Sequence, residues 1–206
     1  MSTGTRRTQK ERVEASDRAL IDAAIDLIAE RGYDRTTLAA IGETAGYSRG
    51  LVTQRFGNKE NLLWAILRQL LDNWSTRALE PRVAGQVGVP ALQTILAAYL
   101  DACERGPKRI RAYYALLREA DGPVPAIRET IRKLHAGERE AIAALVRAGQ
   151  ENGSVSSDID PEAEAAAFLG VMRGVTVQWL LDPQEVDIVG ALTQYGATLD
   201  RSLGVH

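Results

Sequence analysis

Cysteine is almost missing from this 206-residue chain: Cys103 stands alone. No intrachain disulfide can form, and no cysteine-built zinc site can either. Histidine is nearly as scarce, with only His135 and the terminal His206. No P-loop, HExxH pair or dinucleotide fingerprint occurs. These gaps argue against an enzyme, and no metal or cofactor is expected. Carboxylate pairs such as Glu138 and Glu140 are ordinary on exposed helices. No apolar run is long enough to span a bilayer; the best candidate, 168–181, is short and interrupted by Arg173 and Gln178. The N-terminus opens on polar and basic residues without a secretory pattern, so a cytoplasmic protein without a membrane partner is expected. A strong charge of one sign is also lacking, since the formal net charge is -2. Any affinity for nucleic acid must therefore rest on local positive charge. Residues 1–60 carry ten Lys/Arg against nine Asp/Glu, with Arg6, Arg7, Lys10 and Arg12 opposed only by Glu11 in the first twelve.

Proline is confined to segment edges, and no stretch alternates with period two for long enough to read as a strand. What is present has helical period throughout, so the fold class is all-α, with about nine helices. The first is expected over Ser16–Arg31, its apolar stripe formed by Ala19, Leu20, Ala23, Ala24, Leu27 and Ile28. Gly32 ends it. Two short helices follow, one from the Thr36-Thr37 cap to Ala45 and one from Ser48 to Phe56. A long fourth helix begins after Gly57-Asn58 and reaches about Leu79. The glycine-rich stretch Pro81–Pro90 reads as a loop. Further helices are expected over Ala91–Glu104, Pro107–Ala120 and Pro125–Glu151. The eighth and ninth helices begin at Asp160-Pro161 and Asp182-Pro183, each an N-cap with proline at N1. Glu185 resembles the far end of a capping box.

The informative stretch is Thr37–Phe56, two short helices joined at Gly46, which supplies the positive φ of a tight turn. Ile41, Ala45, Val52 and Phe56 face inward, and Gly42 sits where the helices cross. Ser48, Arg49, Gly50, Thr53, Gln54 and Arg55 remain outside, as donors and acceptors suited to phosphates and base edges. Such a pair is a helix-turn-helix, whose second helix enters the major groove.

The flanks carry a family resemblance. Arg31-Gly32-Tyr33, Thr36-Thr37, Ile41, Ala45-Gly46, Ser48, Gly50, Phe56, Lys59-Glu60 and Leu62-Leu63 resemble the TetR family of bacterial transcriptional regulators over about residues 16–63. A weaker likeness continues through Asp160-Pro161, Gly174 and Gln178–Pro183. The resemblance implies that Thr37 and Lys59 hold phosphates and that Ser48, Arg49, Gly50, Thr53 and Gln54 face the groove. Arg49 would meet a guanine or a phosphate, and Gln54 an adenine or a phosphate. Leu51 would pack inside or touch a thymine methyl. The basic arm would lie on phosphates, lie in the minor groove, or stay solvated. Two positions depart from the family pattern: glycine at 42, where alanine is usual, and threonine at 53, where an aromatic is usual.

By the same resemblance the chain divides into a basic arm (1–15), a helix-turn-helix domain (16–62) and a larger helical domain for dimerisation and ligand binding (63–206). One helix-turn-helix makes few contacts, and a two-fold dimer reads two half-sites about 34–36 Å apart. The eighth and ninth helices are the expected homodimer interface, through Ala167, Gly170, Gly174, Trp179, Leu192 and Ala197. A pocket for an unknown hydrophobic or aromatic effector would be lined by Trp64, Leu67, Leu71, Trp74, Tyr99, Cys103, Tyr113, Tyr114, Leu117, Phe168, Met172 and Gln178. The expected function is a DNA-binding repressor of a two-fold symmetric operator, released by that effector. The alternatives are a regulator without an effector and a helical protein-interaction module.

Overall fold

In the computed structural model, residues 8–122 and 125–204 are described, and they are helical with short connections. The helices are α1 (Gln9–Arg31), α2 (Leu38–Ala45), α3 (Arg49–Phe56), α4 (Lys59–Asp72), α5 (Glu80–Val83), α6 (Gly88–Arg105), α7 (Pro107–Arg118), α8 (Pro125–Glu151), α9 (Pro161–Leu181) and α10 (Ile188–Leu203). A π-helical segment, Asn73–Leu79, joins α4 to α5, and a 3₁₀ turn, Glu119–Asp121, follows α7. Among the described residues no helix is long and apolar enough to cross a membrane.

The first helix starts earlier than expected. Thr8 and Glu11 form a reciprocal capping box, with the Glu11 amide donating to Thr8 Oγ1 at 3.2 Å and the Thr8 amide to Glu11 Oε2 at 2.7 Å. The expected arm through residue 15 is therefore helical from Gln9 onward. This part has no continuous apolar stripe, which is why periodicity passed over it; capping supplies the start signal. Arg6 and Arg7 lie outside the described residues, while Lys10 and Arg12 sit exposed on the first turn.

Two compact units emerge, Met1–Leu71 with Lys108–Leu117, and Asp72–Pro107 with Arg118–His206. The first is wider than the expected 16–62 boundary. Its core collects Leu20, Ala24, Ile25 and Ile28 from α1, Ile41 from α2, Val52 from α3, Leu62, Leu63, Ile66 and Leu67 from α4, and Leu116 from α7, all buried. Three acids one turn apart on α1 meet the basic start of α7. Arg109 Nη2 lies 2.7 Å from Asp22 Oδ1, and Lys108 Nζ lies 3.4 Å from Asp26 and 3.6 Å from Glu30. Each is a partly exposed pair of modest strength, worth about 0–1 kcal/mol.

In the second unit α9 packs on α8 and α10 packs on α6. Asp160 caps α9 as expected, accepting from the Glu162 and Ala163 amides. The last helix is corrected. Asp182 Oδ1 does accept from the Glu185 amide at 3.3 Å, but this closes a turn, and α10 begins at Ile188 under its own cap, Asp187. The same Asx chemistry serves both, so capping residues alone do not separate a turn from a helix start. Likewise α6 starts at Gly88, so Pro90 lies in its first turn, where proline costs no hydrogen bond.

On α8, half-buried His135 lies close to Arg139 of its own helix and to Arg173 of α9, which is ion-paired with Glu138. Burial first, then the two guanidiniums, push the imidazole down to about 4. Above pH 6.5 it is neutral whether folded or unfolded. As pH falls from about 6.5 toward 4 the unfolded chain takes up the proton first, so stability is lost over that window. With discounting for its solvent exposure, the loss at pH 5 is about 1 kcal/mol. Urea unfolding at pH 7 and pH 5 should show that loss in the native chain and a smaller one in His135→Gln.

Candidate nucleic-acid interface

Three side-chain oxygens and two glycines shape this surface. Thr37 caps α2, its Oγ1 accepting from the Ala40 amide at 3.2 Å. Gly46 takes φ 77° at the end of α2, and its amide donates to the Glu43 carbonyl. Ser48 caps α3, accepting from the Leu51 amide at 3.2 Å. Ile41 of α2 and Val52 of α3 are both buried, at 1 % and 0 % exposure. Asn58 completes the frame by accepting from the Asn61 amide at the start of α4.

Gly42 has a stronger role than expected. A Cβ there would sit 2.9 Å from the Tyr47 carbonyl oxygen, 3.1 Å from the Ser48 carbonyl carbon and 3.2 Å from the Arg49 nitrogen. These are backbone atoms of the turn entering α3, so relief would require moving the helix itself. The Tyr47 amide donates to the Gly42 carbonyl at 2.7 Å and draws the two segments together.

With α3 so placed, Ser48, Arg49, Gly50, Thr53 and Gln54 are exposed. Among the described residues, Arg49, Thr53 and Gln54 have no side-chain hydrogen bond or ion pair to the protein. Leu51 is half-buried, which favours packing. Arg55 departs from its expected place among the groove-facing residues. It is half-buried with Nε 3.3 Å from Asp17 Oδ1 of α1, so it ties the end of α3 to the first helix. Lys59 is also drawn inward, with Nζ donating to the Asp34 carbonyl at 3.1 Å and lying 4.1 Å over the Tyr33 ring. Sequence reasoning missed Tyr47, whose ring is exposed in the turn beside Ser48. A large aromatic in a two-helix turn was the available signal.

The expected pocket residues fall in both units. In the first, Leu67 and Tyr114 are buried and Trp64, Leu71, Tyr113 and Leu117 half-buried. In the second, Trp74 meets Tyr99 edge-on at 5.8 Å. Thr176 donates to the Met172 carbonyl at 2.7 Å, so its single hydroxyl proton is committed and Tyr99 donates to Thr176 across 2.9 Å. Cys103, one turn beyond Tyr99, is buried, which pushes its thiol up to about 12 and leaves it protonated. Phe168 is fully buried against the Tyr195 ring. Gln178 is exposed on α9 and bonds back to the Gly174 carbonyl, so it leaves the pocket group. Of the expected dimer residues, Ala167, Gly170, Gly174 and Ala197 are exposed and Trp179 half-buried. Leu192 is fully buried in its own subunit and is not available to a partner. No group of three or more His, Cys, Asp or Glu is placed to hold a metal ion among the described residues.

The profile of bacterial regulatory proteins of the tetR family matches residues 20–66, and that of the BetI-type transcriptional repressor C-terminal domain matches residues 90–204. The chain belongs to the TetR family. It is 31 % identical over 196 residues to the HTH-type transcriptional regulator TtgR of Pseudomonas putida, covering 92 % of this chain and 91 % of that one. It is 29 % identical over 177 residues to the HTH-type transcriptional repressor KstR2 of Rhodococcus jostii, covering 85 % of each. In fold it is similar to a TetR transcriptional regulator from Chloroflexus aurantiacus (TM-score 0.81, 20 % identity, 95 % and 99 % of the chains covered). It is also similar to NalD, the secondary repressor of the MexAB-OprM multidrug efflux pump in Pseudomonas aeruginosa (TM-score 0.74, 21 % identity, 94 % and 98 % covered). As a TetR-family chain it is a DNA-binding transcriptional regulator with a helix-turn-helix, and the families it matches are regulators, not enzymes.

Alanine, usual in the family at position 42, does not fit this spacing. Gly42→Ala gains about 1 kcal/mol of helix propensity and incurs about 1–3 kcal/mol of overlap. A net loss of about 1 kcal/mol in denaturant unfolding is expected, together with weaker DNA binding. A more stable variant would show that the turn has room to give.

Proposed function

We propose that this regulator reads a two-fold symmetric operator with α3, holds the backbone with Thr37 and Lys59, and leaves the DNA when a hydrophobic or aromatic effector binds. The reading rests above all on the bare polar face of α3. Arg49 is the guanine contact, its fork matched to O6 and N7 in the major groove. Gln54 meets an adenine or a phosphate, and Ser48, Gly50 and Thr53 line the approach. Thr53 reaches less far than the usual aromatic, and the exposed Tyr47 ring nearby supplies a longer phenol for a phosphate. Arg55 acts indirectly by holding α3 on Asp17.

Lys59 binds phosphate beside the amides that open α4. Two copies associate through the exposed small residues of α9 and α10, giving the second half-site contact. The effector reading draws support from the aromatic and sulfur-bearing cluster of Trp74, Tyr99, Cys103 and Met172. By linkage, an effector that prefers the wrong spacing of the recognition helices lowers DNA affinity by its differential binding energy. Repression is the direction such release implies, and operator DNA places the protein in the cytoplasm.

Selection of random DNA against the protein should recover a palindrome. On that sequence, Arg49→Ala should lose about 1–3 kcal/mol, roughly fivefold to 150-fold, with little change on random duplex. Lys59→Ala should weaken both alike, and its salt slope should fall by about 0.9 for each phosphate the variant leaves unneutralised. Equal losses for Arg49→Ala on selected and random DNA would refute its base-reading role.

A further inference from the structure

The helical run that leaves α4 does not stop at Pro81, where the sequence reads the start of a loop. Backbone angles stay right-handed at Asp72 (φ -60°, ψ -40°), Leu79 (φ -96°, ψ -56°) and Glu80 (φ -50°, ψ -46°), and α5 carries the run on to Val83. Pro81 therefore lies inside a helix.

A proline there brings no amide, and in an α register its ring strikes the carbonyl four residues back, here that of Arg77. The chain avoids the clash by widening the preceding turns. The Glu80 amide donates to the Ser75 carbonyl, five residues back, and Asn73–Leu79 is π-helical throughout. Past the proline the α register returns, with the Ala84 amide on the Glu80 carbonyl at 3.1 Å. No side chain of the π segment is fully buried, so core packing does not impose its shape. A π turn closes over roughly one residue more than an α turn and is rare without a local cause.

The widened segment carries Trp74. Its ring meets Tyr99 of α6 edge-on, with 5.8 Å between centroids and 88° between planes. Beyond the proline, Arg82 Nη2 donates to Asp101 Oδ2 of α6 at 2.6 Å, and Thr94 Oγ1 of α6 donates to Gln86 Oε1 at 2.7 Å. Both ends of the segment are thus tied to one helix. A shift of one residue turns a helical side chain by about 100°. In an α register, Trp74 and Arg82 could not both keep these partners.

We infer that Pro81 is a positioning residue: it imposes the π register of Asn73–Leu79 and thereby holds Trp74 against Tyr99 in the aromatic and sulfur-bearing cluster. Its part in ligand binding rests on the effector reading proposed above; its part in placing Trp74 does not.

Replacing Trp64 and Trp179 with phenylalanine leaves Trp74 as the sole tryptophan. In that background Tyr99→Leu supplies the near-ultraviolet dichroism of Trp74 without its partner. Pro81→Ala should reproduce that spectrum without losing stability in urea, because Pro81 is exposed and alanine favours a helix. Deleting the exposed Thr76 from the same variant removes the surplus residue and should restore the native spectrum. A Pro81→Ala chain that keeps the native spectrum would overturn the inference, and so would a lost spectrum that the deletion fails to restore. The aromatic probe anilinonaphthalene sulfonate tests the ligand side. It should compete with the selected DNA for the native chain and bind Pro81→Ala about fivefold more weakly, the loss of one aromatic contact. Failure to compete for the native chain would count against the effector reading, while the dichroism still decides what places Trp74.

Discussion

The carbonyl of Tyr47 lies where a methyl group at position 42 would have to be, and this approach of two backbones sets the orientation of α3. A helix eight residues long buries little on its own; Val52 is its one fully buried side chain. Its direction must come from what holds its ends. At the start, the Gly42 contact and the Ser48 cap fix where it begins. At the far end, Arg55 on Asp17 ties it to α1. Every DNA contact proposed for α3 inherits its position from these two attachments.

The parts legible in the sequence were those encoded locally. Gly46 announced its turn through the need for positive φ, Ser48 and Asp160 announced their helices as caps, and a 3.6-residue stripe located α1. The parts missed depended on partners distant in sequence or on a feature that periodicity cannot weigh. Arg55 looked like one more surface cation until α1 brought Asp17 beside it. Leu192 looked like a dimer residue because its neighbours are small, yet α10 turns it inward. Lys108 and Arg109 gave no hint that α7 joins the first unit, because their acids stand some eighty residues away on α1. The early start of α1 was encoded locally, in Thr8 and Glu11, but a charged run hid it from a search for apolar stripes.

In the second unit, polar groups inside the helix stack are matched and not merely tolerated. Tyr99 donates to Thr176, which donates to the Met172 carbonyl. A buried hydroxyl without a partner would cost several kcal/mol in an apolar interior, so the chain of donors fixes the register of α6 against α9. Arg173 and Glu138 do the same for α8 against α9, where removing one partner would strand the other charge. These pairs settle which face of α9 turns inward, and the small, unpaired face turns outward as a result.

The bare face of α3 has a consequence for how such a regulator evolves. Arg49, Gly50, Thr53 and Gln54 are exposed on one face of the helix, and exposed positions away from caps and networks change stability by about 0.5 kcal/mol or less when substituted. The residues that aim the helix, Gly42, Val52 and Arg55, are a separate set. Mutation can therefore rewrite the sequence preference of this protein while its architecture stays still, and duplicated copies are free to drift toward new operators without first surviving a loss of folding.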